Sequence, residues 1–466
     1  MTSEKDIREA LLPSCTTSAQ FKPRNKRLYC INHMIFVLLL AVAIWIAMVI
    51  NFFMPYSFHS NLQLPSDSLQ KCAWRSLKQH TSLLDVEPIA REEFLSRQNR
   101  LASELEKAGV DAFIAEPSAS TAYFANISSS FELSERPFLI ILDKNGDASL
   151  LVPKFEIGRI GGLEMVFEGK RIIEWREEES AYDVLIKKTG YGKIMLDEHA
   201  RFMIAAGLQA NGVEVLPTSL AIQSLRAVKS ERELYILRGV NEFTVELVRS
   251  LQSCIKVGMS QETIVEAASG LFTQAGIGSG FWSIVLFGDQ AANPHGGGKG
   301  RVLRDGEFVL VDIGTSLHSY GSDVTRTILP PKSKVSEELM EIWHLVYDAQ
   351  SAAIERMNIN ETCSVVDGAA RDVIREKGYG EFFTHRLGHG LGLEMHEHPY
   401  LNGVNGEKLR RGEVVTNEPG IYLTSEQASL LGKPVGFGVR IEDAVLVTEK
   451  GGMVMTGSRA KSPYEP

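Results

Sequence analysis

Acidic and imidazole side chains recur at the ends of β-rich runs in the C-terminal half of this sequence. "LVDIGTSLHSYGSDVTRT" places Asp312 after an apolar stretch and Asp323 eleven residues on, where a hairpin would return it to the same spot. "HRLGHGLGLEMHEHPY" gathers four of the chain's 11 histidines, His385, His389, His396 and His398, together with Glu394 and Glu397. "VVTNEPGIY" presents Glu418, and "GVRIEDAVLV" presents Glu442. Several carboxylates with one imidazole suit a divalent cation such as Mn²⁺ better than a structural zinc. Taken singly, an acid after a strand is more often a solvated strand end or a helix N-cap. Glu442 resists that reading because it lies between Ile441 and a second apolar run, where a carboxylate without a cation is costly to bury.

The order Asp, Asp, His, Glu, Glu in "VDIG…SDVTRT", "GHGLGLEMHE", "TNEPGIY" and "GVRIED" resembles the pita-bread metallopeptidase superfamily of aminopeptidase P, prolidase, methionine aminopeptidase and creatinase. The resemblance implies that Asp312 chelates one ion, that His389 and Glu418 hold a second, and that Asp323 and Glu442 bridge them. It implies two divalent metals, Mn²⁺ foremost, with Co²⁺, Fe²⁺ or Zn²⁺ as alternatives. The implied reaction is hydrolysis of Xaa-Pro peptide bonds in short proline-containing peptides by a metal-bridging hydroxide. Glu418 would then double as proton shuttle, and His295 of "AANPHGGGKG", His385 and His396 would face the substrate. The motifs leave aminopeptidase P and prolidase specificity open.

Two rival functions belong to other classes: a metal-dependent amidohydrolase of non-peptide substrates on the same scaffold, and a non-catalytic binding protein. Creatinase itself works without this ligand set, so retention of all the ligand positions disfavours its mechanism. Methionine aminopeptidase is disfavoured by the extra domain that precedes the ligands. Gly388, Gly390 and Gly392 discourage a helix and permit close backbone approach. Arg440, two residues before Glu442, would either orient a bridging carboxylate or form a surface ion pair. His398 reads as a solvated loop residue. Asn417 stands where the family more often has an apolar residue, so packing behind Glu418 is expected to differ.

These residues need a scaffold. The chain has 466 residues, 44% apolar and 23% charged, and a net charge of -9 that offers no basic footprint for nucleic acid. Five cysteines, Cys15, Cys30, Cys72, Cys254 and Cys363, show no C-x-x-C spacing and indicate neither a disulfide scaffold nor a thiolate zinc site. Residues 34–54 contain "MIFVLLLAVAIWIAMVI" and read as one transmembrane helix. Lys22, Arg24, Lys26 and Arg27 before it predict a type II, single-pass protein with a cytosolic tail (1–33) and a lumenal or extracellular catalytic part. The Ser-, Pro- and Gln-rich residues 55–88 read as a stalk.

Phe94, Leu101, Leu105 and Ala108 predict a helix ending at Gly109, "DAFIA" a strand, and "PFLIILDKNGDASLLVP" a hairpin through Asn145-Gly146. Ser230 with Glu233 forms a capping box that opens a long helix. The expected architecture is an α/β N-terminal domain of creatinase type (89–228) and an α+β pita-bread catalytic domain (229–466), preceded by the membrane helix. A homodimer is a further implication of the resemblance.

Overall fold

The structure is a computed structural model that describes residues 65–466 apart from Glu168. Arg91–Ala108 is helical, buries Phe94, Leu101 and Leu105, and stops at Gly109 in the left-handed conformation (φ 64°). Strands β1 (Ala112–Ala115), β2 (Leu139–Asp143), β3 (Ala148–Pro153), β4 (Lys170–Trp175), β5 (Lys193–Leu196) and β6 (Glu214–Pro217) form one mixed sheet in the order β4-β3-β2-β1-β5-β6. Alternate side chains feed opposite faces. Phe113, Ile140 and Leu150 join one apolar cluster, while Ala112, Ile114, Leu139 and Leu151 join another. Both faces are therefore covered, as an α/β layer requires. In the β2–β3 hairpin only Gly146 adopts positive φ, at 86°. Asp143 Oδ1 fastens this turn by accepting from the backbone N–H groups of Asn145 (2.8 Å) and Asp147 (3.0 Å).

The capping box forms as the spacing predicts. Ser230 Oγ accepts from Glu233 N (3.3 Å), Glu233 Oε2 accepts from Ser230 N (2.8 Å), and the helix Glu231–Gln252 follows. Beyond it lie β7 (Trp282–Phe287), β8 (Val309–Gly314), the small β9 (Ser316–Leu317) and β10 (Tyr320–Gly321) hairpin, and β11 (Val324–Ile328). The antiparallel order is β11-β8-β7. A second antiparallel sheet contains β12 (Gly388–Gly390), β13 (Glu397–Leu401) and β14 (Val414–Asn417), and β15 (Gly420–Leu423) pairs separately with β16 (Phe437–Arg440). β17 (Asp443–Thr448) and β18 (Gly451–Val454) complete the second sheet in the order β13-β12-β14-β17-β18. The helices Glu337–Arg356 and Cys363–Glu376 contribute Trp343, Val346, Val366 and Ile374 to the core that backs these strands.

Three expectations are corrected. No helix among the described residues is long and apolar enough to cross a membrane, so the transmembrane element, membrane association and type II placement find no support; the expected span 34–54 lies outside the described residues. Within the segment read as a stalk, Pro65–Leu77 is a helix whose Leu69, Ala73 and Leu77 are buried against the helices Glu231–Gln252 and Gln261–Gln274. Ser, Pro and Gln dominate that segment, but its apolar residues recur every fourth position, and that periodicity decides the structure. Finally, Cys72 and Cys254 form a disulfide across 182 residues of sequence, a pairing that no local spacing announces. Cys363 remains a buried thiol.

Candidate metal centre

β8 and β11 are antiparallel neighbours, with Asp312 opposite Thr325. The hairpin return expected for Asp323 therefore occurs, with β9 and β10 as an excursion between the two strands. Asp323 sits one residue before β11, where its backbone N–H is held by Asn241 Oδ1 at 3.1 Å. His389 lies on β12, Glu418 follows β14, and Glu442 occupies the crossing from β16 to β17. The five side chains come from separate strand ends and converge on one cleft of about 930 Å³, lined also by His295, His385, Arg386, His396 and Arg440.

Ligand atoms of Asp312, Asp323 and Glu442 lie within 4.8 Å of one another, as do those of His389, Glu418 and Glu442, and those of Asp323, His389 and His396. Glu442, Asp323 and His389 each belong to two of these triads, and of the three only the carboxylates have a second oxygen to offer another ion. His389 Nε2 is 3.2 Å from Glu418 and 3.6 Å from Asp323. Asp312, Asp323, His389 and Glu442 are buried, and Asp312 Oδ1 is a buried oxygen without a hydrogen-bond partner. Hard donors converge, one of them unpartnered, so the residues fit a divalent cation centre.

The electrostatics agree. Burial, with repulsion from Asp312 and Glu418, pushes the Asp323 carboxyl well above its usual range. Burial and the neighbouring Asp323 and Glu418 do the same to Glu442. Asp312 is raised by burial and by Glu418, against the opposing pull of Arg440. For Glu418, burial acts upward, but the His389 imidazole beside it, with His385 and Arg440, brings the carboxyl below its ordinary value. Such a cluster of mutually repelling acids is relieved by positive charge.

Around the acids runs a layer of orienting hydrogen bonds. Thr325 Oγ1 donates to Glu442 Oε2 at 2.6 Å. Thr416 Oγ1 accepts from His389 N (3.1 Å) and donates to Glu418 Oε1 (3.2 Å). Arg440 is buried rather than on the surface, and it pairs with Asp312, not with a residue assigned as a bridge. Its other nitrogens donate to Thr325 Oγ1 and Tyr422 Oη, both at 3.0 Å. Tyr422 Oη lies 2.7 Å from His385 Nε2, and His385 Nδ1 lies 2.7 Å from the Arg386 carbonyl. With Nδ1–H donating to that carbonyl, neutral His385 accepts the tyrosine proton, and burial lowers its pKa.

The histidines thus divide. His385 lines the cleft with both nitrogens engaged, whereas His396 stands edge-on to His389 with ring centroids 4.1 Å apart, and burial and His389 press its pKa down to about 4. His295 lines the same cleft and is exposed. His398 is not in a solvated loop but half-buried on β13, against Tyr400. The glycines do permit close approach: a Cβ at Gly388 would stand 2.0 Å from the Thr416 carbonyl oxygen, and one at Gly390 2.2 Å from that of His398. Asn417 is accommodated by Gln350, whose carbonyl accepts from Asn417 Nδ2 at 2.9 Å.

Sequence reasoning missed Tyr422, Thr325 and Thr416, since single hydroxyls on strands carry no spacing signal. It also set aside Glu397, which is buried and ion-paired to Lys229.

Comparison with known proteins places this geometry in context. Residues 236–449 match the model of metallopeptidase family M24, and residues 97–228 match that of the creatinase/prolidase N-terminal domain. An uncharacterised peptidase of Schizosaccharomyces pombe is 45% identical over 391 residues, covering 81% of this chain and 84% of that protein. Among solved structures, the Xaa-Pro dipeptidase from Bacillus anthracis is 29% identical with a TM-score of 0.66, over 78% of this chain and 98% of that one. The X-Pro aminopeptidase from Thermotoga maritima is 27% identical with a TM-score of 0.64, over 78% and 97% respectively.

Proposed function

Because the chain belongs to metallopeptidase family M24, we propose that it is a two-metal exopeptidase that hydrolyses Xaa-Pro bonds in short peptides. The observation that carries this reading is the convergence of Asp312, Asp323, His389, Glu418 and Glu442 in one cleft with buried, mutually repelling carboxylates. Asp312, Asp323 and Glu442 would hold one ion, and His389, Glu418 and Glu442 the other, with Asp323 completing the bridge. When bound, such ions polarise a water and the scissile carbonyl.

The chain's own groups then handle protons and orientation. Glu418 accepts the proton of the attacking water as its oxygen adds to the carbonyl carbon. It returns that proton to the proline nitrogen as the C–N bond breaks. Thr416, hydrogen-bonded to Glu418, keeps the carboxylate aimed. His396, neutral at physiological pH, and His295, both lining the cleft, would hydrogen-bond the substrate carbonyl as charge develops on it. Arg440 fixes Asp312 directly, and through Tyr422 it orders His385. His385 is then a positioning residue rather than a direct substrate contact.

The bond preference rests on what the Bacillus anthracis and Thermotoga maritima proteins are named for. Mn²⁺ is the proposed ion, on the carboxylate-rich donor set. The test is hydrolysis of Ala-Pro, Ala-Pro-Ala and Ala-Ala by metal-loaded protein. Cleavage of proline-containing peptides alone is expected; cleavage of none, with metal bound, overturns the proposal. The dipeptide against the tripeptide separates prolidase from aminopeptidase P action. Sedimentation of the same sample reads the homodimer.

A further inference from the structure

The segment Glu394–Glu397 carries His396, and it is gripped at both ends by the cations Arg226 and Lys229. Glu397 is buried, and its Oε1 accepts from the Lys229 ammonium, itself fully buried. Lys229 Nζ spends its remaining protons on the carbonyls of Arg226 (2.8 Å) and Ala227 (3.2 Å). Arg226 Nε lies 3.4 Å from Glu397 Oε2, and its Nη2 binds Glu394 Oε2. His199 Nε2 closes the outer side, 2.6 Å from Glu394 Oε1. Two further features show that the segment is built around these contacts. A Cβ at Gly392 would stand 2.7 Å from Glu397 Oε1, so a larger residue there would displace the carboxylate from its place. On the other side Lys229 N–H donates to the Gly412 carbonyl at 2.9 Å, which fixes the lysine backbone to the catalytic half.

A buried ion pair of this kind adds little net stability over an apolar pair of equal volume. What it supplies is a defined place for the backbone between its ends. Within that span His396 projects into the cleft, its ligand atom within 4.8 Å of those of Asp323 and His389. We propose that Arg226 and Lys229 form a charged clamp on Glu394 and Glu397 that positions the His396 imidazole over the metal centre. The inference rests on the proposed peptidase reaction for its kinetic consequence, not for its geometry. The segment 226–229 thereby acts on catalysis through one imidazole without touching the substrate.

The decisive variant replaces the central pair together, K229M with E397L, in the Mn²⁺-loaded full-length protein. No bare charge is left buried, since Arg226 keeps Glu394 and Glu198 as partners. Melting temperature and metal content are expected to hold, while kcat for Ala-Pro falls by about 10–100-fold with KM little changed, the cost of a misplaced catalytic group. In an H396A background the same double swap is expected to cause no further loss. Deuterium exchange of the peptide spanning 393–401 is expected to quicken, with exchange elsewhere unchanged. Wild-type kcat in the swapped protein, a loss that adds to that of H396A, or unchanged exchange across 393–401 overturns the clamp. If the wild-type protein cleaves no Xaa-Pro peptide, the functional reading fails separately, and the exchange experiment alone decides the clamp.

Discussion

Two clusters of buried and half-buried carboxylates flank the same stretch of chain, residues 389 to 397, and their charge is settled in opposite ways. In the outer cluster Glu394 and Glu397 meet Arg226, Lys229 and His199, so positive groups answer the negative ones within the protein. In the inner cluster Asp312, Asp323, Glu418 and Glu442 share one cleft, where among the described residues Arg440 pairs with Asp312 alone and the His389 imidazole stands beside Glu418 and Asp323. Burial is similar; compensation is not. A folded protein tolerates buried charge only when it is paired or coordinated. The inner cluster is therefore the place where a cation bound from outside the chain would supply positive charge.

The comparison breaks most sharply at the inner cluster. Asp323→Asn or His389→Ala removes a donor shared between ligand triads, so bound metal and turnover are expected to be lost while circular dichroism keeps the native signal. Full activity with metal still bound refutes the assignment. Glu418→Gln keeps the shape and removes the proton acceptor, and kcat is expected to fall by roughly 10²–10⁴-fold. Arg440→Lys retains the charge but loses the fork that joins Asp312, Thr325 and Tyr422. A loss of about 10–100-fold in metal affinity or activity is expected, measured by titration of stripped protein.

At the outer cluster the same logic yields a stability effect rather than a catalytic absence. Lys229→Ala alone leaves the Glu397 carboxylate buried without its main partner, which costs about 3–5 kcal/mol in denaturant unfolding. Metal content per folded chain is expected to stay at the wild-type value. If Lys229→Ala instead stripped the metal, the two clusters would not be independent.

The smallest effect sharpens the contrast through pH. Asp323 and Glu442 have raised pKa values in the folded metal-free protein. An acid raised in this way holds its proton when folded after the unfolded chain, with its carboxyls near about 4, has released it. The metal-free protein thus loses stability as pH rises from that unfolded value toward the raised one, and a bound cation removes the penalty. The rise in Tm on adding Mn²⁺ is expected to be larger at pH 8 than at pH 5.5. An equal gain at both would count against mutually repelling ligands.

The inner cluster was largely legible in the sequence because three of its ligands, Asp312, Glu418 and Glu442, come after runs rich in β-branched residues. "LVDIG", "VVTNE" and "GVRIE" carry both the strand and its cargo. The outer cluster was not, because Arg226 and Glu394 are 168 residues apart, as are Lys229 and Glu397, and neither cation belongs to a motif. The same holds for Cys72 with Cys254, and for Tyr422, whose hydroxyl matters only once β15 and β16 bring it beside Arg440. The helix Pro65–Leu77 is a different case. Leu69, Ala73 and Leu77 announced it at helical spacing, and composition outweighed periodicity in the reading of that segment. Arg440 shows how burial decides between alternatives that spacing leaves equal, since 3% exposure excludes a surface pair.

The most direct measurement is Ala-Pro turnover by chelator-stripped protein as Mn²⁺ is added in known equivalents. Turnover is predicted to be absent without metal, to rise with added ion, and to saturate at about two equivalents per chain, as a two-ion centre requires. Undiminished turnover in the stripped protein, or none once the ions are bound, would contradict the account.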